Sequence, residues 1–409
     1  MKVAVVNKYL HGGGGAEVCA LAEADLLRQM GHEVVLMGTP PCEGVAAELP
    51  TYEMRDIARV GNVSLWKRLR AVERILYSFT ARRKMQELLD REQPDIVHLH
   101  DIHHQLSPSV IDAAARAGVP TVMTLHNYKL TCPTFRHYRH GVPCERCGRR
   151  RYVNAARFRC ARWSAARSTL DAFESFLHER IFGLYDNVQC FVCPSRFIME
   201  KTRQLTPGLP MAHLGNFVDV EQYRPSPEES EERAVYVGRL TPEKGVMTLL
   251  KSATELDCDI SIAGTGPQEE FLRGWVERAG ADNVHFAGYR KGRDLRELVA
   301  RARCVVVPSE WYENNPLVVL EAFAMGKPVV GARIGGIPEL VTGERGGVFP
   351  PGDADGLTRA IQEFVRHPGK AEKAGRAARR YVEAHHSPRV HYERLMQIYE
   401  PATNEVSSK

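Results

Sequence analysis

The chain has 409 residues, of which 44% are hydrophobic and 26% charged, and carries a formal net charge of +5. That length supports two domains with separate cores, and the composition is that of a soluble globular protein rather than a fibrous or disordered one. No run approaches the ~18 apolar residues of a membrane-spanning helix, and the opening MKVAVVNKYLHGGGG lacks a signal-peptide layout, so a cytoplasmic protein is expected.

The first half alternates strands and helices. Lys2–Val6 reads as a strand, followed by the glycine run Gly12–Gly15 and a helix from about Ala16 to Met30. A strand at Val34–Met37 and one long basic amphipathic helix within Ser64–Arg91 come next. Strand Asp95–His100, helix Leu106–Ala117 and strand Thr121–His126 follow. An insertion rich in cysteine and arginine, about 129–167, separates these from a helix near Ser168–Leu184 and a strand at Val188–Cys193. A polar stretch, Asn216–Arg233, reads as a linker. The pattern then restarts with strands at Ala234–Val237, Asp259–Ala263, Val284–Phe286, Cys304–Val307 and Pro328–Gly331, with helices between them and onward to about Glu400. The tail PATNEVSSK is expected to fray.

Such alternation predicts an α/β protein of two Rossmann-like doubly wound domains facing across a cleft. The expected boundaries are 1–215 for the first domain and 216–385 for the second. A C-terminal helix and tail, 386–409, should pack back on the first.

The most informative stretch is Ser309–Ala322, SEWYENNPLVVLEA. The apolar run Cys304–Val307 reads as a buried parallel strand, and LVVLEAFAMG after Pro316 reads as a helix ended by Gly326. Glu313 therefore falls in the loop at the carboxyl end of a strand, where open α/β sheets bind ligands, and Glu321 falls inside an almost wholly apolar helix. A carboxylate in such surroundings needs a partner, and a pair of them suits a polyhydroxylated ligand.

Other candidates surround this one. The run Gly12–Gly15, between a strand and a helix, lets backbone approach a ligand closely, although it has neither the spaced dinucleotide fingerprint nor a P-loop lysine. Arg239 and Lys244 flank the turn after the first strand of the second domain, a fork and a mobile point charge that suit a diphosphate. The segment His98–His104 nearly spells a binuclear metallohydrolase motif, but its aspartate comes one place early. One or two of its histidines are expected to hydrogen-bond in the cleft and the others to lie at the surface. His126 ends a strand facing the same cleft.

Ten cysteines are scattered along the chain, and a reducing compartment favours thiols or a metal site over a disulfide framework. Cys132, Cys144, Cys147 and Cys160 include one CxxC and have spacing open to a structural zinc, with unligated thiols as the alternative. From Arg136 to Arg167 the chain is dense in arginine with one acid, Glu145, and Lys67, Arg68, Arg70, Arg82, Arg83 and Lys84 add charge on the long helix. No nucleic-acid signature accompanies them, so reversible contact with an anionic membrane surface is the expectation, against a soluble enzyme gripping an acidic acceptor.

Taken together, GRLTPEKG, the AGTGP turn, PSEWYENNPLVVLEAFAMGKPVV and GGIPELV resemble the second domain of the retaining nucleotide-sugar glycosyltransferases of family 4, which have the GT-B fold. GGGGAE and TLHNY are similar to that family's first domain. The resemblance implies that Arg239 and Lys244 hold the donor diphosphate, that Glu313 contacts the transferred sugar and that Glu321 holds the ribose. It also implies that Gly13 and Gly14 close on the phosphates and that His126 lies near the sugar. The implied catalytic set is Glu313, His126, Arg239 and Lys244; Gly264, Gly266, Asn314, Asn315 and Leu317 join Gly13, Gly14, Arg239, Lys244, Glu313 and Glu321 as donor-binding residues. The family needs no catalytic metal. Trp311-Tyr312 and Asn314-Asn315, together with the cysteine insertion, depart from many members.

The reaction so implied moves a sugar from a nucleotide-sugar, a UDP-sugar above others, to a glycan or lipid-linked acceptor in polysaccharide or glycoconjugate synthesis. With no nucleophilic carboxylate apparent in the first half, same-face attack assisted by the leaving phosphate is preferred over double displacement. The rivals are a sugar-nucleotide epimerase-hydrolase or phosphorylase of the same fold, a metallohydrolase using His98–His104, and a non-catalytic glycan-binding module.

Overall fold

The structure is a computed structural model that describes residues 1–55, 65–161, 164–226 and 230–407, without the side chains of 65–70 and 405–407. It divides into two compact units. The first comprises Met1–Arg136, Glu145–Leu214 and the chain from Tyr392 onward; the second comprises His137–Cys144 and Gly215–His391.

In the first unit seven strands are present: β1 (Lys2–Tyr9), β2 (Glu33–Thr39), β3 (Thr51–Glu53), β4 (Ile96–Leu99), β5 (Thr121–Thr124), β8 (Cys190–Cys193) and β9 (Met211–His213). All pair in parallel, in the order β3-β2-β1-β4-β5-β8-β9. The short strands β6 (Tyr138–Arg139) and β7 (Val142–Pro143), numbered between them along the chain, form an antiparallel hairpin assigned to the second unit. The near-continuous apolar runs VAVV and VVLM are what a sheet covered on both faces requires. Val3, Val5, Leu27, Leu36 and Ile96 are fully or almost fully buried in one core with Leu395 and Tyr399 of the last helix, Pro388–Ser407.

The second unit repeats the plan with six parallel strands: β10 (Arg233–Val237), β11 (Asp259–Ala263), β12 (Val284–Gly288), β13 (Cys304–Val307), β14 (Val329–Ala332) and β15 (Gly346–Phe349). Their order is β12-β11-β10-β13-β14-β15. Counted within the unit this is 3-2-1-4-5-6, the Rossmann order, whose direction reverses between the first and fourth strands. Helices Val246–Ala253, Leu317–Ala324 and Ala354–Val365 supply Leu249, Phe323 and Ile361 to its core.

Several expectations change. The long basic helix is two, Leu65–Tyr77 and Phe79–Glu92, because Ser78 turns to extended backbone and caps the second, its hydroxyl accepting from the Ala81 N–H at 3.1 Å. Strands β3 and β9 and helix Arg196–Leu205 stand where no element was expected, and β15 stands within a stretch read as helices. The tail does not fray before Ser407; its helix continues through Pro401 because Leu395, Tyr399 and Ala402 are anchored in the first core. The polar stretch after Asn216 is no mere linker, since Val218 is buried in the core of the second unit and Tyr223 packs against it.

Candidate functional site

In the second unit the switch between β10 and β13 brings two loops together. The loop after β10 runs Gly238–Gly245 and the loop after β13 runs Pro308–Pro316. Their backbones touch: the Glu310 N–H donates to the Glu243 carbonyl at 2.9 Å. Gly245, at φ +67°, is needed here, for a Cβ would stand 1.9 Å from the Pro308 carbonyl oxygen. The next crossover packs equally close. A Cβ on Gly264, at φ +145°, would meet the Gly238 carbonyl at 1.8 Å, and one on Gly266 would meet the Leu240 carbonyl at 2.4 Å. These glycines therefore set the spacing of the loops that carry Arg239 and Lys244.

Glu313 is buried at the centre of this arrangement. Its Oε1 accepts from Lys244 Nζ at 2.6 Å, Ser309 Oγ at 2.7 Å and Trp311 Nε1 at 2.9 Å. Burial alone would raise the carboxyl, but the Lys244 ammonium, with the two neutral donors, holds it below the ordinary carboxylate range. Lys244 also lies 5.2 Å from the Trp311 ring centroid. The Glu313 backbone carbonyl accepts from the Gly336 N–H at 2.7 Å, which joins the loop after β14 to the same residue. Thus the spacing in sequence between Lys244 and Glu313 collapses to one hydrogen bond.

Glu321, on helix Leu317–Ala324, accepts from the Tyr223 hydroxyl at 3.1 Å, and burial raises its carboxyl. Asn315 is buried and fixes the chain before that helix: its Oδ1 accepts from the Asn216 N–H at 3.0 Å, and its carbonyl from Asn216 Nδ2 at 2.7 Å. Leu317 opens the helix and packs on the core, and Asn314 is half-buried beside Glu313 in sequence. Arg239 stands apart. Its side chain is exposed, while its carbonyl accepts from Tyr236 at 2.9 Å. Ser309, Trp311, Tyr223 and Asn216 were not singled out by sequence as partners of these groups. Val218 and Tyr223, apolar residues interrupting a polar run, were the available signal.

In the first unit, Gly13 and Gly14 lie between β1 and helix Gly15–Gln29, with Gly14 as the extended residue preceding it. His100 and His126 follow β4 and β5, and their rings stack with Nδ1 of the first 2.9 Å from Nε2 of the second. Burial, reinforced by His100, pushes His126 down to about 3, so it is neutral at physiological pH. Asp101 is buried with Lys8 Nζ 2.5 Å away; burial would raise its carboxyl, but Lys8 holds it at about 2.

The histidine segment is not partly surface as expected: His98, His100 and His103 are buried and His104 half-buried. Nor do its members converge on one metal. Among the described residues His98 and His100 group with Glu23, whereas His104 groups with Asp171 and Glu174. His98 bonds the Tyr399 hydroxyl and Thr124 Oγ1, each at 2.7 Å, which explains its burial as packing of the last helix. Cys132, Cys144, Cys147 and Cys160 supply no such group among the described residues, and Cys144 belongs to the second unit while the other three belong to the first. Of the predicted basic surface, Arg136, Arg146, Arg149, Arg151, Arg157 and Arg159 are exposed, whereas Arg162 and the side chains of Lys67, Arg68 and Arg70 lie outside the described residues.

Two doubly wound sheets, with a lysine-clamped carboxylate at the switch point of the second, are the architecture of a GT-B glycosyltransferase. Residues 13–222 match the model of Glycosyltransferase Family 4, and residues 219–381 match that of Glycosyl transferases group 1. The chain belongs to glycosyltransferase family 4 and is a transferase. It is 28% identical over 396 residues to a glycogen synthase of Mycobacterium tuberculosis, covering 90% of this chain and 86% of that one. To a GDP-mannose-dependent monoacylated phosphatidylinositol monomannoside mannosyltransferase of Corynebacterium glutamicum it is 30% identical over 210 residues, 46% of this chain and 55% of the relative. Similar solved structures include sucrose-phosphate synthase from Thermosynechococcus elongatus, with TM-score 0.71, 18% identity and 98% of both chains covered. Another is Anabaena HepE in complex with UDP, with TM-score 0.71, 18% identity and coverage of 98% and 100%.

Proposed function

We propose that this glycosyltransferase is a retaining enzyme that moves a hexosyl group from a UDP-sugar to a glycan or lipid-linked acceptor in cell-surface polysaccharide or glycoconjugate synthesis. The observation that carries the reading is the buried, ionised Glu313 held by Lys244 at the carboxyl end of β13. An acceptor-only carboxylate in that position suits sugar hydroxyls, and an ammonium has three N–H donors, so Lys244 can serve Glu313 and a diphosphate oxygen together. Arg239, at the other end of the same turn, supplies a fork for the remaining phosphate oxygens. Glu321, with Tyr223, receives the ribose hydroxyls.

In the reaction the bond from the anomeric carbon to the β-phosphate oxygen breaks, and its electron pair leaves with the nucleoside diphosphate. The acceptor hydroxyl bonds to that carbon from the same face and passes its proton to the departing phosphate. Charge grows on the diphosphate, where Lys244 and Arg239 stabilise it more strongly than in the ground state. Neutral His126 is suited to hydrogen-bonding the sugar and unsuited to carrying charge.

UDP is favoured over other nucleotides by the UDP complex of the similar Anabaena structure, while GDP-mannose, named for the Corynebacterium relative, is the competing donor. The test is a panel of UDP-, GDP- and ADP-sugars with and without EDTA, with product anomers read by NMR. Turnover of a UDP-sugar with retained configuration, indifferent to EDTA, is expected. Lys244→Ala and Arg239→Ala should each lower kcat/KM by about 10²-fold or more, and Glu313→Gln should lower it at least as far. Wild-type rates in all three variants would remove the assignment.

A further inference from the structure

Among the described residues, four of the five exposed phenylalanines lie in one neighbourhood of the first unit: Phe79, Phe173, Phe176 and Phe182, with exposed Ile181 beside them. Tyr77 ties them together. Its ring stands edge-on to Phe79 at 5.1 Å and to Phe182 at 5.8 Å. The π-helical turn Leu177–Ile181 is pinned to the end of helix Leu65–Tyr77 by the His178 ring, whose Nε2 lies 2.6 Å from the Leu76 carbonyl. Helix Ala165–Phe176 runs straight into that turn, so Phe173, Phe176 and Arg180 fall on one outward face at i, i+3 and i+7. The first unit has an ample core, so an exposed apolar cluster is not forced by shortage of interior; it marks a contact surface.

The charge around the cluster indicates what it contacts. Arg83 follows Phe79 by four residues and Arg180 follows Phe176 by four, which puts an arginine beside each aromatic on the exposed helix face. Arg83 and Arg180 enter no ion pair among the described residues. Of the nearby carboxylates, Asp112 is paired with Arg82 and Arg116, Glu87 with Lys84 and Arg91, and Glu179 with Arg150, while Glu73 accepts from the Phe79 N–H at 3.2 Å. Asp186 is an exposed carboxylate at the margin, and the local balance stays positive. Helix Val153–Arg157, with exposed Val153 and Arg157, packs against helix Ala165–Phe176. No helix among the described residues is long and apolar enough to cross a membrane.

We propose that this patch seats the enzyme on an anionic phospholipid bilayer. Phe79, Phe176, Ile181 and Phe182 enter the headgroup–acyl boundary, while Arg83 and Arg180 hold lipid phosphates. Arginine stems are long enough to keep the guanidinium at phosphate level as the rings descend. A lipid surface needs only apolar side chains flanked by cations, and that is what two helix junctions present here; an acidic protein partner would also require a complementary shape. The docking goes beyond the proposed reaction and holds whichever donor or acceptor the enzyme uses.

The test is co-sedimentation of the full chain with phosphatidylcholine vesicles, and with vesicles in which about a quarter of the lipid is phosphatidylglycerol, at low and high salt. Binding to the anionic vesicles alone, lost at high salt, is expected. Phe79→Ser/Phe182→Ser and Arg83→Glu/Arg180→Glu should each weaken it by about tenfold or more, with thermal melting and turnover of a water-soluble acceptor unchanged. Should the aromatic pair melt early, Phe176→Ser alone reads the same effect. No binding at low salt, or undiminished binding by both double variants, would overturn the proposal. So would wild-type dimers that the serine variants dissociate without any vesicle binding, which would assign the face to a second copy of the chain.

Discussion

At Glu313 one carboxylate oxygen takes three donors, and the charge of Lys244 prevails over burial in setting its protonation. Its folded carboxyl lies below the ordinary range, so it stays ionised as pH falls through mild acidity. His126, pushed down to about 3 by burial, stays neutral over the same interval. Neither group should therefore shape the profile of kcat/KM between about pH 5 and pH 8. An acid limb near pH 6.5 that vanishes in His126→Gln would show that this histidine carries a functional proton after all. Motif spacing had already singled out Glu313, Lys244 and His126. The surroundings of Glu313 and His126 include Ser309, Trp311 and His100, whose roles depend on side-chain direction.

Between elements, the decisive contact in the first unit is a buried ion pair. Lys129, after β5, donates to Glu174 on helix Ala165–Phe176 at 2.7 Å and to the Pro133 carbonyl at 2.9 Å. Burial would raise the Glu174 carboxyl, but Lys129 outweighs it and holds it at about 2. Because the folded value lies below the unfolded one, this contribution to stability is present above about pH 4.5 and is lost as pH falls toward 2. Lys129→Met strands the carboxylate and should cost about 3–5 kcal/mol in denaturant unfolding at neutral pH. Adding Glu174→Leu should restore most of it. A loss under about 1 kcal/mol in the single variant would show that the pair does not anchor the helix. This pairing was not legible beforehand, since Lys129 opens and Glu174 follows an insertion whose path no periodicity reveals.

For the whole molecule, the two cores are built from different stretches of chain, and the last helix belongs to the first of them. Tyr399 and Leu395 are fully buried there, with the Tyr399 hydroxyl on His98. Tyr399→Ala should destabilise the first unit by about 3–5 kcal/mol. Hydrogen-exchange mass spectrometry should then show faster exchange in β1, β4 and β5 with β10–β15 unchanged. Equal acceleration in both units would contradict separate cores.

Hydrophobic runs bounded by glycine and proline sufficed to place the central strands, because a strand buried on both faces must be apolar throughout, and β11 and β13 match their expected limits. The glycines of the β10 and β11 loops and the pair Glu313/Glu321 were legible for a related reason: close backbone approach and buried charge each admit few residue types. Edge strands β3, β9 and β15 escaped, being short or only partly buried, with no unbroken apolar run to announce them. The histidine segment escaped in the opposite sense. Its residues spell a metal motif along the chain, yet the parallel sheet points His98 at Tyr399 and turns His104 toward Glu174. Local composition governs which residues form strands and turns, because those preferences act over a few bonds. Strand order, and with it the meeting of Lys244 and Glu313, was decided only by folding, because it depends on which distant segments exclude water from one another.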